Sequence, residues 1–585
     1  VIRTRIRAED RSSPFGSYEE AYLNFKWDPI LDEFTWRATG KYNLAHEAVD
    51  RWADDPATAG KTALIYDHRG ETVTYTFREL KRLSCQWANL LARLGLGPGD
   101  RLAILLPPRP ETHLAVLAAA RLGAIFCPLP PDLTPHELHW LVARMDPRVM
   151  VSTHTLARKL PRETLAAGTT LVLTTGKPSG RHVREEMASR LLPEQPDFHE
   201  PHWVGPDHPL YIVFTSGGDG PPRGVVHTHG GMAGLLMTGR YALDLGPNSL
   251  CWTDGLPGWV TSTVYGGLAP WLCGSAVLTV GGEFGPSTWY RALEQHKPTT
   301  WYTRPGVIEL LKQAGDDLPR RYDLKDLGHV ATVGRPLPPK SFFWFRNNLD
   351  RHLHDTWWSA EMGMIALANF PGIDIKLGSA GLPVPGVAAA VIDGEGQSQP
   401  LLTLGELAFK PGWPSMFAGL WGEAGREESL VSRGWYASGD LAFTDEDGYF
   451  YMSGRKDDVL RVLGRLVGPY EVERALASHP AVAECAAIQP ATELAPWFKG
   501  FVVLRPGQKP GWELKEVLKA LARAEISPFL PLNEIEFLPE LPRNSGRRLL
   551  RRVLKAQELG LPIGDPESLQ DDWTGQTRPP AGTTN

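Results

Sequence analysis

Cysteine is scarce: there are five in 585 residues, Cys85, Cys127, Cys251, Cys273 and Cys485, far apart and with no CxxC pair. That spacing excludes a disulfide framework, offers no zinc-ligand pattern and points to a reducing compartment. Charge of one sign is also missing. Sixty-one basic against 67 acidic residues leave −6 at pH 7, which attracts neither nucleic acid nor an anionic membrane. Long apolar runs are absent too. The longest, Leu114 to Leu129, is broken by Arg121 and ends in prolines, and VIRTRIRAEDRSS at the start has no apolar stretch of signal-peptide length. No solenoid period is visible. The expectation is a soluble cytoplasmic protein whose partners are small molecules, with no nucleic acid and no membrane; oligomeric state is not legible.

What is present is ample apolar content, 42% hydrophobic over 585 residues, enough for two or more domains. From about Tyr75 to Lys410, short β-rich runs (RLAILLP, VMVST, LVLTT, LYIVF, SAVLTV, HVATVG, AAAVID, ELAFK) alternate with helical patterns such as Phe77 to Gly95 and Ser287 to His296. That rhythm predicts α/β layers with mainly parallel sheets. Near Gly448 the texture becomes that of a compact α+β region, with a helix over Glu471 to Ser478 stopped by Pro480. After Leu561 the tail is polar and proline-bearing, a disordered composition.

Four stretches carry chemistry: the glycine-rich FTSGGDGPPRG from Phe214, after an apolar strand; HDTWWSAEMG from His354; YASGDLAFTDEDGYF from Tyr436; and SGRKDD from Ser453. Plainer readings stand beside some of these and beside neighbouring features. Asp440 after Ser-Gly could close a turn, Trp357-Trp358 could be core packing, and His227 with His229 lacks a third metal ligand and reads as an ordinary loop pair. RRLLRRVLK from Arg547 to Lys555 fits a solvated helix face.

Taken together these stretches resemble the adenylate-forming superfamily, most closely its acetyl-CoA synthetases. The likeness runs from about Ser17 through GRRLLRRVLKAQELGLPIGD and includes GWVTSTVYGGLAPWL and KPGWPSM. The resemblance implies a large N-terminal domain of layered α/β subdomains over residues 1–456, a small mobile α+β domain over 457–562 and a disordered tail, 563–585. It also implies a reaction in two halves: a carboxylate attacks ATP to give acyl-AMP and pyrophosphate, then the thiol of coenzyme A expels AMP. ATP, Mg²⁺ and coenzyme A are thereby implied, with acetate the favoured acid.

By the same resemblance the nucleotide falls to Thr215, Ser216, Gly217, Gly220, Arg223, Gly334, Arg335, Asp355, Thr356, Trp357, Asp440 and Arg455. Asp440 would accept from both ribose hydroxyls, and the loop glycines would bring backbone N–H groups to phosphate. Glu361 would hold Mg²⁺. Trp358, Val260, Thr261 and Val333 would line the acyl pocket, Leu463 and Gly464 the coenzyme A side, and Asp457 the hinge. Arg547 would supply the positive charge of the adenylation step.

Several of these positions depart from the family pattern. Gly218 and Asp219 replace a Ser-Thr pair and Arg223 a lysine; a carboxylate ~4 Å from a phosphate oxygen costs about 4 kcal/mol before screening. Arg335 stands for a glutamate, Ala360 and Met362 for threonines, Leu463 for a serine and Leu466 for an arginine, beside Arg465. Arg547 stands for the lysine of PKTRSGK, and its planar fork is not equivalent to a compact ammonium. Three readings follow: a working ligase with a reshaped site, a weakened paralogue that binds nucleotide or acyl-adenylate and regulates or scaffolds, and adenylation without transfer to coenzyme A.

Overall fold

A computed structural model describes residues 4–7, 13–182, 184–215, 222–282, 285–423, 430–456, 460–462, 465–489, 497–543 and 549–559. Among these, the apolar runs become strands of two large sheets. One is eight-stranded, in the order Gly419–Leu420, Arg223–Thr228, Pro209–Thr215, Ile125–Pro128, Arg101–Leu105, Val149–Ser152, Thr170–Leu173 and Glu185–Met187. It is parallel from Pro209–Thr215 onward. The other is nine-stranded, in the order Leu382–Pro383, Leu367–Ala368, His354–Trp357, His329–Thr332, Thr300–Thr303, Leu250–Thr253, Ala276–Gly281, Thr62–His68 and Glu71–Thr76. Its strands from His354–Trp357 to Thr62–His68 run parallel.

The main core joins side chains of both sheets, such as Leu102 and Ile104 with Val277 and Ala331, to the helices Phe77–Arg93, Pro110–Arg121 and Met232–Ala242. Helix Phe77–Arg93 starts where the sequence requires it. Thr76 Oγ1 accepts from the Glu79 N–H at 3.2 Å while Glu79 Oε2 accepts from the Thr76 N–H at 2.8 Å, a capping box that satisfies two donors no helical carbonyl reaches. Phe77, Leu80, Ser84, Trp87, Ala88 and Leu91 then face inward, the spacing of one apolar stripe. The second expected helix spans Pro286–His296.

The two large sheets are mainly parallel, as expected, but two of the apolar runs belong elsewhere. AAAVID and ELAFK form strands Ala389–Ile392 and Gly405–Phe409, but these pair antiparallel, within a five-stranded sheet that includes Trp435–Thr444, Val431–Ser432 and Phe450–Arg455. The change of texture at Gly448 therefore precedes the end of this sheet. Apolar alternation marks a strand but carries no direction of pairing, which depends on the connections.

The chain thus has a large N-terminal domain and a small C-terminal one. In the latter, strands Val482–Ile488, Phe498–Leu504 and Leu532–Phe537 pack with helices Pro469–Ala477 and Trp512–Glu525 around a core of their own that includes Val472, Leu476, Val502, Leu518 and Ile535. The helix expected over Glu471 to Ser478 starts two residues earlier, since proline at its first position gives up no hydrogen bond. In the basic run, Arg551 opens helix Arg551–Leu559 and pairs with Glu473 at 2.7 Å, while Val553 and Leu554 are buried. The proposed tail lies outside the described residues. No described helix is long and apolar enough to cross a membrane.

Candidate active site

In parallel α/β sheets ligands lie beyond the carboxyl ends of the strands. The strand His354–Trp357 ends there, and its last residue and the next diverge. Trp357 stacks on Phe409, ring centroids 5.2 Å apart and planes 14° from parallel, and its indole N–H donates to Asp440 Oδ2 at 2.9 Å. Trp358 is buried and donates instead to the Tyr302 hydroxyl at 3.0 Å. Consecutive residues leaving a strand point to opposite sides, so the two indoles meet different partners, Asp440 for Trp357 and Tyr302 for Trp358.

Asp440 does not close a turn. It lies within strand Trp435–Thr444, directly opposite Arg455 on Phe450–Arg455. Arg455 Nη1 donates to Asp440 Oδ1 at 3.1 Å, so the carboxylate is oriented from two sides. Gly439 permits this approach: it has φ +74°, and a Cβ there would lie 2.8 Å from Arg455 Nη2. Both tryptophans pack with the core, but packing alone does not account for a half-buried carboxylate held within a strand by an indole and a guanidinium.

Asp355 is buried at the same strand. Thr332 Oγ1 donates to its Oδ1 at 2.7 Å and the Leu337 N–H to its Oδ2 at 3.2 Å. Burial nevertheless dominates and pushes its carboxyl up to about 7. An unfolded aspartate releases its proton near pH 4, so between about pH 4 and about 7 the folded chain retains a proton that the unfolded chain has lost. Stability from this group is therefore present in full below pH 4 and is lost as pH rises through 7. Asp355→Asn should accordingly flatten the fall of the thermal midpoint between pH 5 and 7.5; parallel curves for the two proteins would refute this. Beyond the neighbouring strand, Val333 is buried and Gly334, φ +102°, turns the chain out to an exposed Arg335.

Val260 and Thr261 open the short helix Val260–Thr263, both half-buried. Thr261 precedes Tyr265 by four residues, and Tyr265 meets Trp358 edge-on, centroids 5.3 Å apart at 87°. Thr356 is buried and its hydroxyl donates to the Thr332 carbonyl at 2.8 Å. Glu361 is half-buried with its carbonyl accepting from the Phe417 N–H at 3.0 Å. Among the described residues no group of three or more His, Cys, Asp or Glu could enclose a metal ion. A lone carboxylate suits Mg²⁺ in particular, which draws most of its ligands from water and substrate phosphates.

Thr215 and Arg223 face each other across the antiparallel pair Pro209–Thr215 and Arg223–Thr228. The loop between them, with Ser216, Gly217, Gly218, Asp219 and Gly220, lies outside the described residues, as do Asp457, Leu463, Gly464 and Arg547. Leu466 and Arg465 belong to the strand Arg465–Val467, their side chains likewise outside the description.

Two departures from the family pattern are accommodated by packing. Ala360 and Met362 are buried; the Ala360 carbonyl accepts from His227 Nε2 at 2.8 Å and the Met362 carbonyl from Trp413 Nε1 at 2.8 Å, so apolar side chains there leave no hydroxyl to satisfy. His227 and His229 are not a loop pair, which corrects the earlier expectation. His227 lies in a strand, and buried His229 Nδ1 accepts from the Leu44 N–H at 3.2 Å. Both hold backbone rather than a metal.

Residues 49–421 match the family model described as AMP-binding enzyme, and residues 471–546 that of the AMP-binding enzyme C-terminal domain. The chain belongs to the AMP-binding enzyme family. Its similar relatives include acetyl-coenzyme A synthetases of Bacillus subtilis, 38% identical over 95% of this chain and 97% of the relative, and of Methanothrix soehngenii, 32% identical over 96% and 89%. Among solved structures, an acyl-CoA synthetase of Brucella canis aligns with a TM-score of 0.71 at 26% identity, covering 93% of this chain and 99% of the other. An acetoacetyl-CoA synthetase of Streptomyces lividans aligns at 0.81 and 24% identity over 91% and 85%, a likeness of fold.

Within this AMP-binding enzyme, motif reading passed over three aromatic residues. Tyr436 is buried, and its hydroxyl is pushed up by burial and further by the charges of Glu361 and Asp440, against Arg455. Tyr470, at the start of the small domain's first helix, has its hydroxyl pushed up to about 12, mainly by burial, and feels the charges of Asp355 and Arg335. Tyr302 holds Trp358. A lone tyrosine in a strand or helix has no spacing signal that would single it out.

Proposed function

We propose that this chain is an AMP-forming acetate–CoA ligase, acting on acetate or a similarly short acid with ATP, Mg²⁺ and coenzyme A. The observation that carries the reading is the divergence of Trp357 and Trp358: one indole orients the Asp440 carboxylate, and the other, buried and held by Tyr302, is the one we assign to the wall of the acyl pocket. Asp440 and Arg455 take the ribose; Asp355, Thr356, Gly334 and Arg335 the adenine side; Thr215, Ser216, Gly217, Gly220 and Arg223 the phosphates. Glu361 holds Mg²⁺, which would offset phosphate charge. Val260, Thr261, Val333 and Trp358 confine the acid to two or three carbons, since each further methylene needs space the indole fills.

Arg547 supplies positive charge during adenylation. The small domain, residues 457–562, then turns about Asp457 and brings Leu463 and Gly464 to coenzyme A. Positioning and fixed charge do most of the work in both halves. The unpaired thiols, Cys85, Cys127, Cys251, Cys273 and Cys485, support a reducing, cytoplasmic setting.

The chain given MgATP, acetate and coenzyme A should form acetyl-CoA, AMP and pyrophosphate in equal amounts. Folded chain that binds AMP but forms none of the three would instead favour a regulatory paralogue, and pyrophosphate without thioester would mark adenylation alone.

A further inference from the structure

Trp358 can wall a pocket only if its indole is held, and two chains of hydrogen bonds from different elements hold it. In the first, Trp358 Nε1 lies 3.0 Å from the Tyr302 hydroxyl, that hydroxyl 2.8 Å from Thr356 Oγ1, and Thr356 Oγ1 2.8 Å from the Thr332 carbonyl. The direction follows from the groups. A carbonyl cannot donate, so Thr356 gives its only hydrogen to Thr332, Tyr302 must give its own to Thr356, and the Tyr302 oxygen is left to accept from the indole. The chain crosses three neighbouring parallel strands, Thr300–Thr303, His329–Thr332 and His354–Trp357, and ends on backbone.

The second chain fixes the ring that meets the indole. Tyr265 approaches Trp358 at 5.3 Å and Tyr302 at 5.4 Å, edge-on to both at 87°. Its hydroxyl accepts from the Ile365 N–H at 2.8 Å and lies 2.8 Å from Thr238 Oγ1, whose hydrogen goes to the Gly234 carbonyl at 2.7 Å. Tyr265 and Tyr302 are fully buried, and burial drives both hydroxyls well above their ordinary ionisation range, so the direction of each chain holds at every pH at which the protein is folded.

We infer that Tyr302 is a positioning residue for acid selection: its hydroxyl fixes the Trp358 indole, and through it the length of acid the site admits. The inference rests on the proposed ligase reading. Tyr302 touches no substrate in this account, and nothing in the motifs marks it, because it lies 56 residues from its partner. Without the hydroxyl, the indole N–H is a buried donor with no acceptor and gains by turning toward any that a different rotamer reaches. The wall then moves.

The test compares acids of two to five carbons in wild-type, Tyr302→Phe, Trp358→Gly and the double variant, each checked for folding by thermal unfolding. Tyr302→Phe should raise kcat/KM for butyrate relative to acetate by about tenfold, the scale of discrimination one methylene provides in an apolar pocket. Acetate KM should rise with kcat little changed. In the Trp358→Gly background the same substitution should add nothing, since the residue acts through the indole. Should Tyr302→Phe not fold, Tyr265→Phe, which loosens the second chain, should shift the ratio in the same direction. An unaltered ratio in folded Tyr302→Phe, or an equal shift with and without the Trp358 indole, would overturn the inference while leaving the ligase reading intact. Wild-type chain that activates none of the acids would overturn the ligase reading and this inference with it.

Discussion

Asp440→Ala should lower acetyl-adenylate formation by about 10²–10³-fold, mostly through weaker binding of ATP and AMP. The carboxylate is oriented by the Trp357 indole at 2.9 Å and by Arg455 at 3.1 Å; Asp440 is 21% exposed at its side chain, so it remains open to a ligand. A hydrogen bond to a charged group contributes about 1.5–3 kcal/mol. The two bonds proposed to the ribose hydroxyls, lost together, would amount to about 3–4 kcal/mol, and each 1.4 kcal/mol is a factor of ten. Asp440→Asn keeps one accepting oxygen and the shape, and should lose about 10–100-fold. Calorimetric titration with AMP checks the origin of the effect: affinity should fall in step with kcat/KM for ATP. Undiminished AMP affinity in Asp440→Ala would remove the carboxylate from the nucleotide site.

Arg121→Met should destabilise the large domain by about 3–5 kcal/mol, the cost of stranding one member of a buried ion pair. Arg121 ends the helix Pro110–Arg121, with its side chain wholly buried against an almost equally buried Asp50. Nη1 donates to Asp50 Oδ2 at 2.7 Å and Nη2 to Oδ1 at 2.6 Å, a bidentate fork, and the same two nitrogens also reach the His199 carbonyl at 3.3 Å and Ser84 Oγ at 3.2 Å. Removing the guanidinium leaves a carboxylate in the core without a counter-charge. Replacing both partners, Arg121→Met with Asp50→Leu, should recover most of the loss, because the pair itself adds little over well-packed apolar groups. Scanning calorimetry reads both variants. A single variant within about 0.5 kcal/mol of wild type, the range of ordinary surface changes, would show that the pair is not isolated from water.

How far the sequence discloses this molecule varies with the kind of contact. Local periodicity marks Phe77–Arg93 and the runs beginning at Arg101, Val149 and His329, because amphipathic stripes and buried strands are written in consecutive residues. The family resemblance marks Asp440 and Arg455, which face each other across one hairpin. Pairing direction is another matter, and Ala389–Ile392 with Gly405–Phe409 turned out antiparallel. The contacts that hold Trp358 are further still from view. Tyr302 and Thr356 meet only because Tyr302 registers with Ala331 and Thr332 with Asp355 across parallel strands, and a register between distant strands leaves no local trace. His227 and His229 show the converse: a suggestive spacing that burial turns into backbone support.

The proposed first step is attack of a short carboxylate on ATP, for which Asp440, Arg455 and Trp358 would set the geometry. Exchange of labelled pyrophosphate into ATP isolates that step, since it needs no coenzyme A. The chain with Mg²⁺ should catalyse exchange that depends on acetate, runs faster with acetate than with butyrate, and stops when either acid or Mg²⁺ is withheld. Folded, AMP-binding chain that exchanges no pyrophosphate with any short acid would contradict it.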